Sequence, residues 1–228
     1  MGPKKKRKVI MSLTQQQKDL IFGSLLGDGN LQTGSVGRTW RYRALHKSEH
    51  QTYLFHKYEI LKPLCGENTL PTESIVFDER TNKEVKRWFF NTLTNPSLKF
   101  FADMFYTYDQ NTQKWVKDVP VKVQTFLTPQ ALAYFYIDDG ALKWLNKSNA
   151  MQICTESFSQ GGTIRIQKAL KTLYNIDTTL TKKTLQDGRI GYRIAIPEAS
   201  SGAFREVIKP FLVDCMRYKV SDGNKGHL

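Results

Sequence analysis

The order of apolar and polar positions divides the chain into two similar series of elements. The first opens with an apolar run, Ile21-Phe-Gly-Ser-Leu-Leu26, that closes in Gly27-Asp28-Gly29. Thr14 and Gln17 stand upstream in capping-box spacing, which predicts a helix over 14–27. The stretch from Asn30 contains Gly34 and Gly37 and reads as a turn between two strands. From Thr39 to Leu45 the chain alternates, placing Trp40, Tyr42 and Ala44 on one face of a strand. Ser48 caps a helix over 49–62 whose apolar face carries Tyr53, Leu54, Tyr58 and Leu61. After a loop over 64–71, residues 75–77 and 85–90 read as strands joined by a polar turn. Pro96 opens a helix through Phe105, with Leu98, Phe101, Met104 and Phe105 inward. Residues 109–120 read as a polar connection.

The second series repeats that order. Thr128 is the expected N-cap and Pro129 the first helical residue of a buried helix over 129–138. Its apolar run, 131–137, closes in Asp138-Asp139-Gly140. A polar stretch over 143–149 leads to a strand over 151–155. Ser157 or Ser159 caps a helix that ends near 174, with Ile166, Leu170 and Leu173 at helical spacing. Residues 179–185 and 189–196 form a hairpin around Asp187-Gly188. A last helix begins near 200 and is ended or kinked by Pro210. Each half is therefore α-β-β-α-β-β-α, with halves at 11–120 and 121–228. Strands in adjacent pairs fit no parallel α/β scheme, so the fold class is α+β.

Both apolar runs end in the same way, with an acid and then a glycine. A helix C-terminus carries partial negative charge, so an Asp there is unfavourable by some tenths of a kcal/mol. The glycine is expected to close the helix in the left-handed conformation. Asp28 and Asp139 are 139 − 28 = 111 positions apart, about half the chain. For either alone, an Asp-Gly turn is account enough. Two at domain spacing point to carboxylates presented to something positive.

The two segments resemble the paired signature helices of the LAGLIDADG homing endonucleases in single-chain form, over essentially residues 12–220. Asp28 and Asp139 match the penultimate acidic position. Leu26 and Ile137 depart from the signature where an Asp is common, and Tyr134 where Gly is common, so the packing there has to accommodate a ring. The resemblance implies two pseudo-symmetric halves sharing a two-helix interface, with antiparallel sheets forming a saddle over duplex DNA. Gly23 and Gly27 supply small residues one turn apart for that helix contact. It implies hydrolysis of both strands at a long, non-palindromic site, across the minor groove, leaving short 3′ overhangs. Asp28 and Asp139 would hold Mg²⁺, which favours one or two carboxylates and keeps sites for water and phosphate. Mn²⁺ is expected to substitute, and Ca²⁺ to bind without supporting cleavage. The carbonyls before each Asp, of Gly27 and Asp138, would be further metal ligands. Lys117 and Lys219, at 117 − 28 = 89 and 219 − 139 = 80 positions beyond the helix acids, match the basic residues that follow the last helix of each half. Lys47 and Glu156 stand where the family often orders active-site water, although Gln is common there.

A two-stranded ribbon fits the major groove, so the sheet face is the expected DNA surface. Arg41 and Arg43 share one face. Arg38, Lys83, Lys86, Lys147, Lys182, Lys183, Arg189 and Arg193 are the other basic candidates, Arg suited to guanine and Lys to phosphate. Trp40, Trp88 and Trp144 are expected in core or sheet-edge packing.

Composition adds limits. The chain has 228 residues, 40% hydrophobic and 12% aromatic, enough for a folded core. No apolar run approaches the ~20 residues that span a bilayer. The 3 cysteines, Cys65, Cys154 and Cys215, show no paired spacing, against a disulfide framework or thiolate zinc site. His46, His50 and His56 have no neighbouring Cys and are expected at the surface or facing DNA. Residues 1–10 contain Pro-Lys-Lys-Lys-Arg-Lys-Val, identical to a viral nuclear-localisation peptide, and are read as an added tag ahead of an original start at Met11. The net charge of +13 less the tag's 5 leaves +8, a basic protein with a polyanion partner. The expected native compartment is organellar, within an intron-encoded context, and the tag directs the chain to the nucleus. A monomer needing no protein partner is expected. The rival readings are a LAGLIDADG maturase, which binds intron RNA without cutting DNA, and a basic DNA-binding module with no active site.

Overall fold

The computed structural model describes residues 12–79, 81–144 and 147–220, and the expected tag at 1–10 lies outside the described residues. Helix α1 (Gln15–Leu26) is followed by β1 (Asn30–Gln32), β2 (Arg41–Lys47), α2 (Gln51–Leu61), β3 (Thr72–Asp78), β4 (Lys83–Asn91) and α3 (Pro96–Phe105). A hairpin of β5 (Tyr106–Asp109) and β6 (Lys114–Lys117), then a single turn, α4 (Val123–Phe126), lead to the second series. That series is α5 (Pro129–Asp139), β7 (Gly140–Leu142), β8 (Met151–Ile153), α6 (Gln160–Tyr174), β9 (Thr179–Thr184), β10 (Ile190–Ile196) and α7 (Glu198–Ile208). A 3-10 segment, Asp214–Val220, follows. The two sheets have the same strand order, β1-β2-β4-β3 and β7-β8-β10-β9, and every pairing in them is antiparallel. The fold is thus α+β with two matching halves.

Helices α1 and α5 pack against each other at the centre. A helix that is apolar all round must be covered all round. Leu20, Ile21, Leu25 and Leu26 of α1 and Ala131 to Ile137 of α5 are almost wholly inaccessible. Glycine allows the approach. A methyl on Gly23 would overlap the Ala131 carbonyl and sit 2.8 Å from Tyr134 Cβ. One on Gly27 would sit 2.5 Å from Asp138 Cβ. Gly23 therefore makes the room that the α5 backbone at Ala131 and the Cβ of Tyr134 take. Both N-termini are capped as expected. Thr14 and Gln17 complete a capping box, at 3.2 and 3.1 Å. Thr128 Oγ1 accepts from Ala131 N at 3.1 Å and donates to Asp19 of α1 at 2.9 Å, tying the starts of the two helices together.

Four expectations need correction. Residues 109–120 are not a plain polar connection, because Tyr106 to Asp109 pairs with Lys114 to Lys117. The pairing is held by aromatic contacts absent from a polarity pattern: Trp40 lies 5.1 Å from Trp115 and 5.3 Å from Tyr106, ring to ring. Neither signature helix ends in a left-handed glycine. Gly140 has φ −86° and ψ 153° and continues directly into β7, its missing Cβ making room for the Tyr136 ring. Leu173 is 40% exposed, outside the apolar face of α6. Trp144 is 52% exposed, its ring 4.3 Å from the Lys143 ammonium, whereas Trp40 is core.

Candidate active site

The C-terminal ends of α1 and α5 place Asp28 and Asp139 at the base of the two sheets. Asp28 lies just past α1 with its side chain about half exposed, and Asp139 is the last residue of α5. Asp139 is raised to about 8, first by burial, then by Asp28 and Asp138. Asp28 is raised to about 6, first by burial, then by Asp138. Lys117 and Lys219 pull both back. Two desolvated carboxylates, both raised by Asp138 and one of them also by the other, form a site that a cation relieves.

The lysines expected from the sequence do converge here. Lys117 comes from β6, not from a segment directly after a helix, and its Nζ donates to the carbonyls of Gly27 and Gly29 at 3.0 and 3.1 Å. Lys219, from the 3-10 segment, donates to Ile137 and Asp138 carbonyls at 2.6 and 3.3 Å. Each ammonium thus occupies the negative end of one signature helix. Burial lowers the pKa of both lysines, and the nearby acids oppose the fall. The carbonyls proposed as metal ligands, of Gly27 and Asp138, are therefore also lysine acceptors. A carbonyl oxygen has two lone pairs, so the two roles are compatible.

Sequence reading missed the groups beneath. The Asp138 side chain is fully buried, held by Lys57 Nζ at 2.8 and 3.0 Å and by Tyr53 Oη at 2.8 Å. Lys57 is equally buried, its ammonium 4.5 Å from the centre of the Tyr53 ring. The signal was present: Lys57 sits between Tyr53 and Leu61 at four-residue spacing, on the apolar stripe of α2. A second acid beside Asp139 on an all-buried helix also has to face inward. His46, expected at the surface, is 5% exposed, because it alternates with Tyr42 and Ala44 on the inner face of β2. Its Nδ1 is 3.6 Å from Asp28 Oδ2 and its Nε2 is 4.0 Å from Asp138 Oδ1. Burial first, then Lys57, lowers its pKa to about 3, so the ring is neutral and these are polar contacts, not ion pairs. Nε2 has no hydrogen-bond partner. His50 and His56 are bonded to Tyr218 and Tyr134 at 3.2 and 3.0 Å.

The donor set fits a hard divalent cation. Carboxylate oxygens of Asp28 and Asp138 and a nitrogen of His46 lie within 4.8 Å of one another. Asp138 is already satisfied by Lys57 and Tyr53, which leaves Asp28 and Asp139 as the carboxylates with capacity for an ion. Of the two residues expected to order water, Glu156 is committed to Arg193, whose Nε donates at 2.8 Å and whose Nη2 lies closer still. Lys47 is exposed at the end of β2.

The register sorts the basic residues by face. Arg43 pairs with Asn91 and Lys47 with Arg87, while Ala44 pairs with Phe90 on the buried side. Arg41, Arg43 and Lys83 therefore share the open face of the first sheet with Arg87, a residue the sequence reading did not single out. In the second sheet Lys183 and Arg193 share the open face, opposite Gly191 and Thr181. Lys86 pairs with Ile75 and Lys182 with Tyr192, on the other faces, against the expectation that both join the open surface. Arg38 bonds within its own loop, to the Ser35 carbonyl at 3.3 Å, and Arg189 pairs with Asp187 at 2.7 Å. Lys147 is exposed in a turn.

Comparison with known proteins agrees with this architecture. Residues 18–204 match the model of the LAGLIDADG DNA endonuclease family. The chain is 28% identical over 219 residues to the protein RecA of Mycolicibacterium flavescens, covering 91% of this chain and 47% of that protein. It is 25% identical over 208 residues to the cytochrome b mRNA maturase bI2 of Saccharomyces cerevisiae, covering 89% and 47%. It thus spans about half the length of these curated relatives. Among solved structures, the homing endonuclease I-WcaI bound to its DNA recognition sequence aligns with TM-score 0.77 at 18% identity, over 96% of this chain and 94% of that one. I-DmoI in complex with DNA and Mn aligns with TM-score 0.50 at 14% identity, over 85% and 96%. No helix among the described residues is long and apolar enough to cross a membrane.

Proposed function

The chain belongs to the LAGLIDADG DNA endonuclease family, and from that membership we propose that it is a single-chain, site-specific nuclease that hydrolyses both strands of duplex DNA. The observation that carries the reading is the pair of raised carboxylates, Asp28 and Asp139, delivered by packed helices, each helix end held by a half-buried lysine. The two sheets would lie on the duplex as a saddle, on a long, non-palindromic site. Cutting across the minor groove would leave short 3′ overhangs.

Asp28 and Asp139 would hold the cation, Mg²⁺ in the working enzyme. When bound, such an ion neutralises charge at the phosphate and activates water. The protein's own groups do the rest. Lys117 and Lys219 fix the helix ends through their carbonyls and set positive charge beside the scissile phosphates. Lys57 and Tyr53 hold the Asp138 carboxylate in place, so it acts on Asp28 and Asp139 without competing for the ion. His46, neutral, gives Asp28 a polar wall without an added charge. We take Mn²⁺ as a substitute, Ca²⁺ as a binding but non-cutting ion, the protein as a monomer that needs no protein partner, and its native setting as an organellar intron. The tag at 1–10 would send this chain to the nucleus.

The test is cleavage of a randomised duplex library with Mg²⁺ and with Ca²⁺, beside Asp139→Asn. Defined ends with Mg²⁺ alone, lost in the variant by about 10³-fold or more, are the expected result. Tight duplex binding with no cut in any member would overturn it. The likeness to the yeast maturase favours a second reading, assistance of intron splicing. Both Asp28 and Asp139 are retained, which a protein that only binds RNA does not need. Splicing stimulated equally by Asp139→Asn, with no DNA cut by either protein, would carry the maturase reading instead.

A further inference from the structure

The open face of the first sheet is not uniformly polar. Leu45 lies opposite Phe89, and Val76 opposite Val85. All four share the parity of Arg43 and Arg87, so they point away from the core. Val76 is 42% exposed, and the other three are half-buried. The equivalent face of the second sheet carries Gln152, Thr179, Thr181, Lys183 and Arg193. Only small residues, Ala141, Gly191 and Ala195, lie among them.

Apolar groups set between arginines need an apolar contact within an anionic partner. In the major groove of duplex DNA the apolar group on a base edge is the C5-methyl of thymine. We propose that the first half reads its half-site through thymine methyls, while the second half reads its own by polar contacts. The inference rests on the endonuclease reading for the presence of the duplex, and adds which base chemistry each half recognises. Phe89 and Val85 are four residues apart on β4, roughly 13 Å along a strand. At ~3.4 Å per base step that is about four base pairs. The methyl contacts therefore fall at two places: one under Leu45 and Phe89, the other under Val76 and Val85. Arg87 stands between them, and the Arg43 guanidinium lies 4.7 Å from the centre of the Phe89 ring. Each is placed to take a guanine edge or a phosphate beside a methyl contact.

The experiment selects binding sites from a randomised duplex library in Ca²⁺, then remakes the selected site with deoxyuridine for thymidine, one position at a time. Uracil keeps the pairing and removes only the methyl. Affinity is expected to fall about fourfold per methyl, the worth of one buried carbon. The loss should occur at two positions about four base pairs apart in one half-site, with little change in the other. Val76→Thr keeps the shape of an edge residue and exchanges a methyl for a hydroxyl. It should abolish the uracil effect at one of the two positions, which also identifies the half-site under the first half. Its melting temperature, compared with that of the unchanged protein, checks the fold. Equal uracil effects in both half-sites, none in either, or no response to Val76→Thr in a folded variant would overturn the inference. If no sequence is selected at all, the endonuclease reading falls and takes this inference with it.

Discussion

The two halves share one backbone plan but not one electrostatic plan. Counting from the β1–β2 and β7–β8 registers, the residue two beyond Asp28 pairs with Arg43, and the residue two beyond Asp139 pairs with Gln152. Arg43 and Gln152 are thus equivalent, and so are His46 and Thr155, three residues on. His46 is buried with one nitrogen unpartnered, whereas Thr155 donates its hydroxyl to the Tyr192 carbonyl at 2.6 Å. The signature residues before the acids differ as well. Gly27 has no side chain, and the Asp138 carboxylate sits beside it on Lys57 and Tyr53, which belong to the other half. Duplicated helices and sheets can therefore keep a common geometry while the fully buried ion pair, Lys57 with Asp138 across the two halves, occurs once among the described residues. The lysines at the helix ends do keep the symmetry, because both answer a backbone feature, the negative helix terminus, that both halves retain.

The asymmetry can be broken directly. Lys57→Met leaves the Asp138 carboxyl in the core without its cation, and should cost about 3–5 kcal/mol, a fall in Tm of roughly 10 °C. Adding Asp138→Ala, which brings that position close to Gly27, should recover most of the loss. Thermal melts of the single and double variants decide it: an undiminished loss in the double would show that Lys57 acts by packing and not by pairing.

The symmetric part is probed with Lys117→Met and Lys219→Met. Each should slow double-strand cutting about 10²-fold, with nicked plasmid accumulating as the one impaired centre lags. If only one of the two slowed cutting, the matched roles assigned to them would be wrong.

The acids give a smaller effect, visible as a pH slope. Asp139 is raised to about 8 and Asp28 to about 6, both above the ordinary 3.8. Above pH ~4 the unfolded chain has released these protons and the folded one still holds them. Metal-free stability should therefore fall as pH rises and level off near 8. His46, lowered to about 3, acts in the opposite direction but only below its ordinary 6.5. Between pH 6.5 and 8 the contribution of Asp139 should be no steeper than about 1.4 kcal/mol per unit. Denaturant titrations across that window, with Asp139→Asn as the control, should show the slope flatten in the variant.

The smallest change is at the shared helix starts. Thr128→Ala removes the cap of α5 and its bond to Asp19, and should cost about 1–2 kcal/mol. Thr14→Ala, whose hydroxyl makes no bond to the other helix, should cost less in the same melting experiment.

Much of this was legible in the chain. Period-two and helical patterns located the two αββαββα series, the caps at Thr14 and Thr128, and the hairpin at Asp187-Gly188, where Gly188 takes φ +81°; of Ser157 and Ser159 the structure uses Ser159, and the expected cap at Ser48 is not made, since α2 starts after His50 without a side-chain cap. These features are local: a cap or a turn is decided by residues within a few positions of each other. The β5–β6 hairpin was not legible, since its stability comes from Trp40, more than sixty residues away in sequence from Tyr106 and Trp115. The faces of Lys86 and Lys182 were not legible, because neighbouring residues along a strand point to opposite faces and only the pairing register says which one is open.

The sequence by itself determined that two carboxylates stand at the ends of two buried helices, about half a chain apart. Spacing and polarity are enough to say that much. Only the tertiary structure decided which acid faces the opening and which faces the core. Asp138 and Asp139 are neighbours with the same chemistry, and only the packing of α2 against α5 tells them apart. That packing brings Lys57 and Tyr53 to Asp138 and leaves Asp139 facing Asp28, so one carboxylate is neutralised within the fold and the other remains available to a cation.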